Sequence, residues 1–187
     1  MKKLTILAAL AFATFAAHAD MKIGTVDLMV LIRNHPNYES NKSLLASTDK
    51  DYQKKVEVIK DEGEKLQAEG KKLAEQFRNP MLAAKAKTET EKQLMEIQQK
   101  LIGIEQRYRA EVSRCRQDLQ DLEARLLKAT TEDLRKRIAK FAEKTGYDLV
   151  LDKTAAPFAK PAFDVTNDML KELGVDPKDA KGRDEGK

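Results

Sequence analysis

The chain has 187 residues, of which 35% are charged and only 5% aromatic, with no Trp. A globule of that length needs more large apolar side chains, so the composition excludes one dense core and favours long, solvated helices. Basic residues number 35 and acidic residues 31, a balance too even for a phosphate-binding surface, and nucleic acid is not expected as a partner.

Lys2 and Lys3 precede an apolar run over residues 4–15, and Ala17-His18-Ala19 stands before Asp20. That order is the pattern of a secretory signal peptide, so residues 1–19 are expected to be removed by cleavage after Ala19. The apolar run is short for a bilayer span and no stop-transfer segment follows it. Cleavage would take away two lysines and no acid, bringing the net charge of +4 still closer to neutral. It would leave His35 as the one histidine. Cys115 is the one cysteine of the chain, so an intrachain disulfide is impossible.

Residues 22–27 (KIGTVD) read as a short strand, with Asp27 placed to cap a helical turn over residues 28–34. His35-Pro36 breaks that turn and suits a new helix start. Tyr52, Val56, Ile59, Leu66, Leu73 and Phe77 then alternate at spacings of three and four once Gly63 and Gly70 are counted in the stripe, which is the seam of a coiled coil. Asn79-Pro80 interrupts the pattern and marks a turn. The seam resumes at Leu94, Ile97, Leu101, Ile104 and Tyr108, slips at Val112, and continues through Cys115, Leu119, Leu122 and Leu126 to Leu134, Ile138 and Phe141. The simplest reading is an antiparallel hairpin over residues 38–145 with its tip near 78–84, the ascending arm from Tyr38 to Arg78 about 60 Å long at the rise of an α-helix.

Gly146 suits a left-handed helix stop. Residues 147–152 (YDLVLD) read as a strand, and residues 154–163 as a further strand weakened by Pro157 and Pro161. Asp164 or Thr166 can cap a short helix that ends at Leu173-Gly174. Residues 175–187 are charged and are expected to form a disordered tail. The fold class is therefore mainly α with a small β base formed by residues 20–37 and 146–174, from which the long hairpin projects. So few short strands do not make a stable sheet alone. Ile23, Val26, Leu149, Val150 and Leu151 are accordingly expected to contact other copies of the chain at a shared base.

Two segments carry a family resemblance. The first is Lys22-Ile-Gly-Thr-Val-Asp27-Leu28 with Asn34-His35-Pro36. The second is Gly146-Tyr-Asp-Leu-Val-Leu-Asp152 followed by Asp164-Val-Thr-Asn-Asp-Met-Leu170-Lys. In these the chain resembles the Skp/OmpH family of periplasmic chaperones. The resemblance implies a homotrimer with a small β-barrel body and helical tentacles around a cavity. It implies a periplasmic holdase that keeps unfolded outer-membrane proteins from aggregating, without ATP. It also implies contact with membrane surfaces or lipopolysaccharide, although the near-neutral charge departs from the strongly basic hairpins of that family. The alternative from another class is a structural coiled-coil scaffold of the cell envelope that binds one folded partner.

Several residues invite sharper readings. Gly63 and Gly70 weaken a helix and leave the seam unfilled; they are read as flexible points that let the arm bend, against close packing under a large partner side chain. Lys71, Lys72, Arg78, Lys85 and Lys87, with Met81 and Leu82, are candidates for client or membrane contact at the tip, against an ordinary solvated hairpin end. Cys115 reads as a small core residue and His35 as a helix-start residue. No Ser-His-Asp, His-Glu-x-x-His or phosphate-binding glycine loop is present, so no catalytic, metal or cofactor site is assigned and the chain is not read as an enzyme.

Overall fold

A computed structural model of the chain describes residues 21–182; the signal-peptide reading and the last five residues fall outside that range. Strand β1 (Ile23–Val26) leads through Asp27 into helix α1 (Leu28–Arg33). The Asp27 carboxylate accepts from the Val30 amide at 3.0 Å, the cap expected of an Asp ahead of an apolar turn. Helix α2 (Tyr38–Phe77) rises 40 residues, a six-residue tip follows, and helix α3 (Ala84–Thr145) descends 62 residues. Gly146 stops α3 at φ 73°, a conformation that costs a glycine nothing. Strand β2 (Leu149–Asp152) and helix α4 (Thr166–Glu172) complete the chain's regular elements, with 3-10 turns at Lys153–Ala155 and Pro161–Phe163 between them. No helix among the described residues is long and apolar enough to cross a membrane.

β1 and β2 pair in parallel, Ile23 opposite Leu149 and Val26 opposite Asp152. Parallel strands need a long crossover, and here the whole hairpin is that crossover. The other edge of β1 meets the loop before α4, where the Val165 amide donates to the Thr25 carbonyl at 2.8 Å. β2 has β1 as its only strand neighbour among the described residues.

The body has a core of its own. Val26, Val30, Leu31, Leu134, Phe141, Val165, Met169, Leu170 and Leu173 pack together, and Ile138, Tyr147 and Val150 lie against them. This corrects three expectations. Val26 and Val150 do not wait for another chain: alternation turns them inward, onto the chain's own α1, α3 and α4. Leu134, Ile138 and Phe141, read as the end of the seam, belong to this core rather than to the arm. Residues 154–163 form two 3-10 turns instead of a strand, since Pro161 has no amide for a ladder and opens the second turn instead.

The tail departs from expectation as well. Residues 175–182 are not a free end: Val175 and Ala180 pack on the core, and Lys181 joins Asn34 through two hydrogen bonds. Composition pointed to disorder, but two small apolar contacts and the amide of Asn34 give this stretch somewhere to lie.

Candidate functional site

The arm is built from two helices that cannot cover each other. α2 contains no buried residue, whereas α3 buries Ile97, Cys115 and Thr130 beneath it. A two-helix seam leaves each partner wet on the sides facing away. Leu44, Val58, Met95, Ile102 and Leu127 lie off the seam and stand open to solvent, Val58 at 67%. Sequence reasoning missed all five because they fall outside the three-four stripe; scoring apolar residues on the polar face would have found them.

Gly63 and Gly70 of α2 face isoleucines of α3. A Cβ on Gly63 would stand 3.3 Å from Ile104 Cγ2, and one on Gly70 would stand 3.2 Å from Ile97 Cγ2. The gap expected in the seam is therefore filled by the two isoleucines. This geometry fits the alternative of close packing under a large partner side chain, with the seam filled at both glycines. The same pairs centre the fold-back on residues 83–84, a few residues beyond Asn79-Pro80. Across the seam the Arg107 guanidinium meets the Glu62 carboxylate at 3.2 Å. Nearer the body an open furrow between the helices is lined by Tyr52, Val56, Val112, Cys115 and Leu119, with charges of both signs from Asp49, Glu57, Lys60 and Arg116. The Cys115 thiol is buried, and that burial, with the Glu111 carboxylate, raises its pKa. No trio of His, Cys, Asp or Glu side chains converges as metal ligands among the described residues.

At the tip, Asn79 makes a local turn in which its Oδ1 accepts from the Met81 amide at 2.9 Å. This leaves Met81 89% exposed, while Leu82 is half-buried. Lys71, Lys72, Arg78 and Lys85 are exposed and Lys87 is half-buried; among the described residues none of the five forms an ion pair. The turn thus gathers cations and one free methionine at the end furthest from the body.

At the other end, Leu149 and Leu151 project from β2 on the face opposite the core, 40% and 36% exposed. Ile23, opposite Leu149 in the register, is half-buried. Of the five residues expected at a shared base, the fold turns Leu149 and Leu151 outward and Val26 and Val150 inward. Phe158, in the loop beyond β2, is 82% exposed and was not foreseen.

The root of the arm is locked by His35. Its ring is buried; Nδ1 accepts from the Asn37 amide at 3.1 Å and Nε2 faces Asp133 Oδ2 at 2.9 Å. With Nδ1 acting as acceptor, the proton of the neutral ring lies on Nε2 and is donated to the carboxylate. Arg137 Nε donates to the same oxygen at 2.6 Å. The His35 hydrogen bond first, and then Arg137, hold the Asp133 carboxyl below the usual carboxylate range. His35 and Asp133 are 98 residues apart, so only the register of the hairpin brings them together.

These surfaces contain open grooves, apolar side chains and solvated charges, a chemistry suited to many weak contacts. Comparison with curated proteins gives no match. A family model described as outer membrane protein (OmpH-like) matches residues 22–173, from the first residue before β1 to the end of α4, and the chain belongs to that family.

Proposed function

We propose that the protein is a periplasmic holdase that binds unfolded outer-membrane proteins and keeps them from aggregating, without ATP. Membership of the OmpH-like family, whose members are chaperones of outer-membrane proteins, supports this reading. The observation that carries the mechanism is the arm's exposed apolar set, Leu44, Val58, Met95, Ile102 and Leu127, spread along two helices. Scattered apolar groups among charges hold a chain without dictating its conformation. A client that keeps its mobility gives up less entropy on binding. Preferential binding of the unfolded state raises its soluble share by mass action. Release then requires only transfer to a partner that binds better.

In this reading the signal peptide delivers the chain to the periplasm, and three copies join through the outward face of β2, so that their arms surround a cavity. Unpaired strand edges with apolar side chains are ready-made assembly sites. The test is to dilute several unrelated unfolded β-barrel proteins into buffer with the mature protein at near-stoichiometric ratio and to follow light scattering. Suppression for all of them supports the holdase. Suppression for none, with tight binding of a single folded envelope protein, would establish the scaffold reading instead.

A further inference from the structure

Beyond α4 the chain doubles back across the body to the root of the arm. Gly174, at φ 79°, makes the turn, and Val175 and Ala180 rest on the core. Asp176 organises the stretch between them: its Oδ1 accepts from the Lys178 amide and its carbonyl from the Asp179 amide, each at 2.9 Å. The chain then reaches Asn34, between α1 and α2. Asn34 Nδ2 donates to the Lys181 carbonyl at 3.0 Å, and the Lys181 amide donates back to Asn34 Oδ1 at 2.9 Å. One side-chain amide thus reads both polar groups of one residue. Lys181 Nζ pairs with the Glu39 carboxylate in the first turn of α2 and lowers its pKa. Gly182, at φ 72°, lies so close to the Arg33 side chain that a Cβ would collide with it.

We propose that residues 175–182 form a releasable strap that gives the root of α2 a second tie to the body, beside the His35–Asp133 contact. α3 runs without a break from the arm into the core, whereas α2 joins the body at the bend of residues 34–37, where His35 already ties it to Asp133 of α3. The strap holds both sides of that bend, Asn34 before it and Glu39 after it. Its grip is weak. The Val175 amide bonds to the Leu170 carbonyl, and the contacts further along include Ala180 on the core, two hydrogen bonds to Asn34 and one ion pair with both partners more than half exposed, set against the ordering of eight residues. Such a segment opens locally without global unfolding, and salt promotes the opening by screening the Lys181–Glu39 pair. The strap rests on the fold alone; its consequence, an arm that loosens to admit a larger client, rests on the holdase reading.

Hydrogen exchange tests the strap with no client present, so its failure and that of the holdase reading are distinguishable. The mature protein, Lys181→Glu, the reversed pair Glu39→Lys with Lys181→Glu, and a chain ending at Gly174 would be compared at low and high salt. Amides of residues 41–46 are expected to exchange about fivefold faster in Lys181→Glu and in the shortened chain, to regain protection in the reversed pair, and to speed up with salt only where the strap is intact. Amides of β1 and α4 should keep their rates in Lys181→Glu. Unchanged exchange at residues 41–46 in both Lys181→Glu and the shortened chain would overturn the strap. So would a rise spread equally over β1 and α4 in Lys181→Glu, which would make residues 175–182 simply part of the core.

Discussion

Gly63 and Gly70 offer a test of what holds the arm together. Replacing either with Ala removes the penalty of a glycine in a helix interior, about 1 kcal/mol. Against that gain stands the new methyl, 3.3 Å from Ile104 Cγ2 at position 63 and 3.2 Å from Ile97 Cγ2 at position 70, both inside comfortable carbon contact. The distances are nearly equal, so the freedom of each isoleucine to yield decides the sign. Ile104 is half-buried and can turn toward solvent, and Gly63→Ala should gain about 0.5–1 kcal/mol. Ile97 is only 6% exposed and has nowhere to go. Overpacking at such a site costs about 1–3 kcal/mol, so Gly70→Ala should be neutral or lose up to about 2. At roughly 2–4 °C per kcal/mol for a chain of this size, thermal unfolding followed by far-UV circular dichroism should order the melting points as Gly63→Ala, parent, Gly70→Ala. Ile97→Leu moves the branch off Cβ and removes Cγ2, so it should rescue Gly70→Ala with a coupling of about 1 kcal/mol and leave Gly63→Ala untouched. Equal stabilisation at both positions, with no coupling to Ile97, would refute the close-approach argument and restore the view of these glycines as soft points in an unfilled seam.

The latch at the root predicts a pH dependence of defined sign. The carboxyl of Asp133 is held low by His35 and Arg137, so its contribution is present above the unfolded carboxylate value, about 3.9, and is lost as pH falls through the lower folded value. Asp133→Asn should therefore be less stable by about 1 kcal/mol at neutral pH, a modest figure because the carboxylate is partly exposed and screened. The difference in urea midpoints should shrink below about pH 4; a gap that persists in acid would show that charge is not what the latch uses. At the base, Leu149→Lys with Leu151→Lys puts like charges on the outward face of β2, while Val26 and Val150 keep the body folded. On the proposed assembly through this face, the parent's solution mass is that of three copies and the variant's falls to one with helix content retained; a parent of one copy, or an unchanged multiple mass in the variant, would refute assembly through β2.

The elements of this fold were legible because each depends on neighbours in sequence. The cap at Asp27, the stop at Gly146 and the three-four stripe on either side of the tip act over a turn or two of helix, and they stand where local rules put them. What could not be read was what each stripe packs against. From Leu126 to Phe141 the periodicity is consistent with one continuous seam, yet Leu134, Ile138 and Phe141 face α1, β1 and α4 while residues above them face α2. Periodicity marks a side of a helix as apolar and is silent on its partner, so the boundary between arm and body leaves no trace in it.

The same limit explains the candidate surfaces. Asn79-Pro80 located the reversal to within a few residues, but a shift of that size exchanges every partner across the seam. Without the register, Gly63 had no Ile104 opposite it and His35 had no Asp133. A gap in the stripe therefore looked like softness, and a lone histidine looked like a helix start. Docking of residues 175–182 was hidden for a related reason. Its anchor, Asn34, lies 147 residues from Lys181 and contributes an amide, a group whose presence in a bend is ordinary until something is seen to lie against it. Docking of this segment depends on the closure of β1 on β2, which brings the two ends of the chain's long hairpin together; a variant that separates the strands should release residues 175–182, whereas the His35–Asp133 contact, set by the register of the hairpin, should persist.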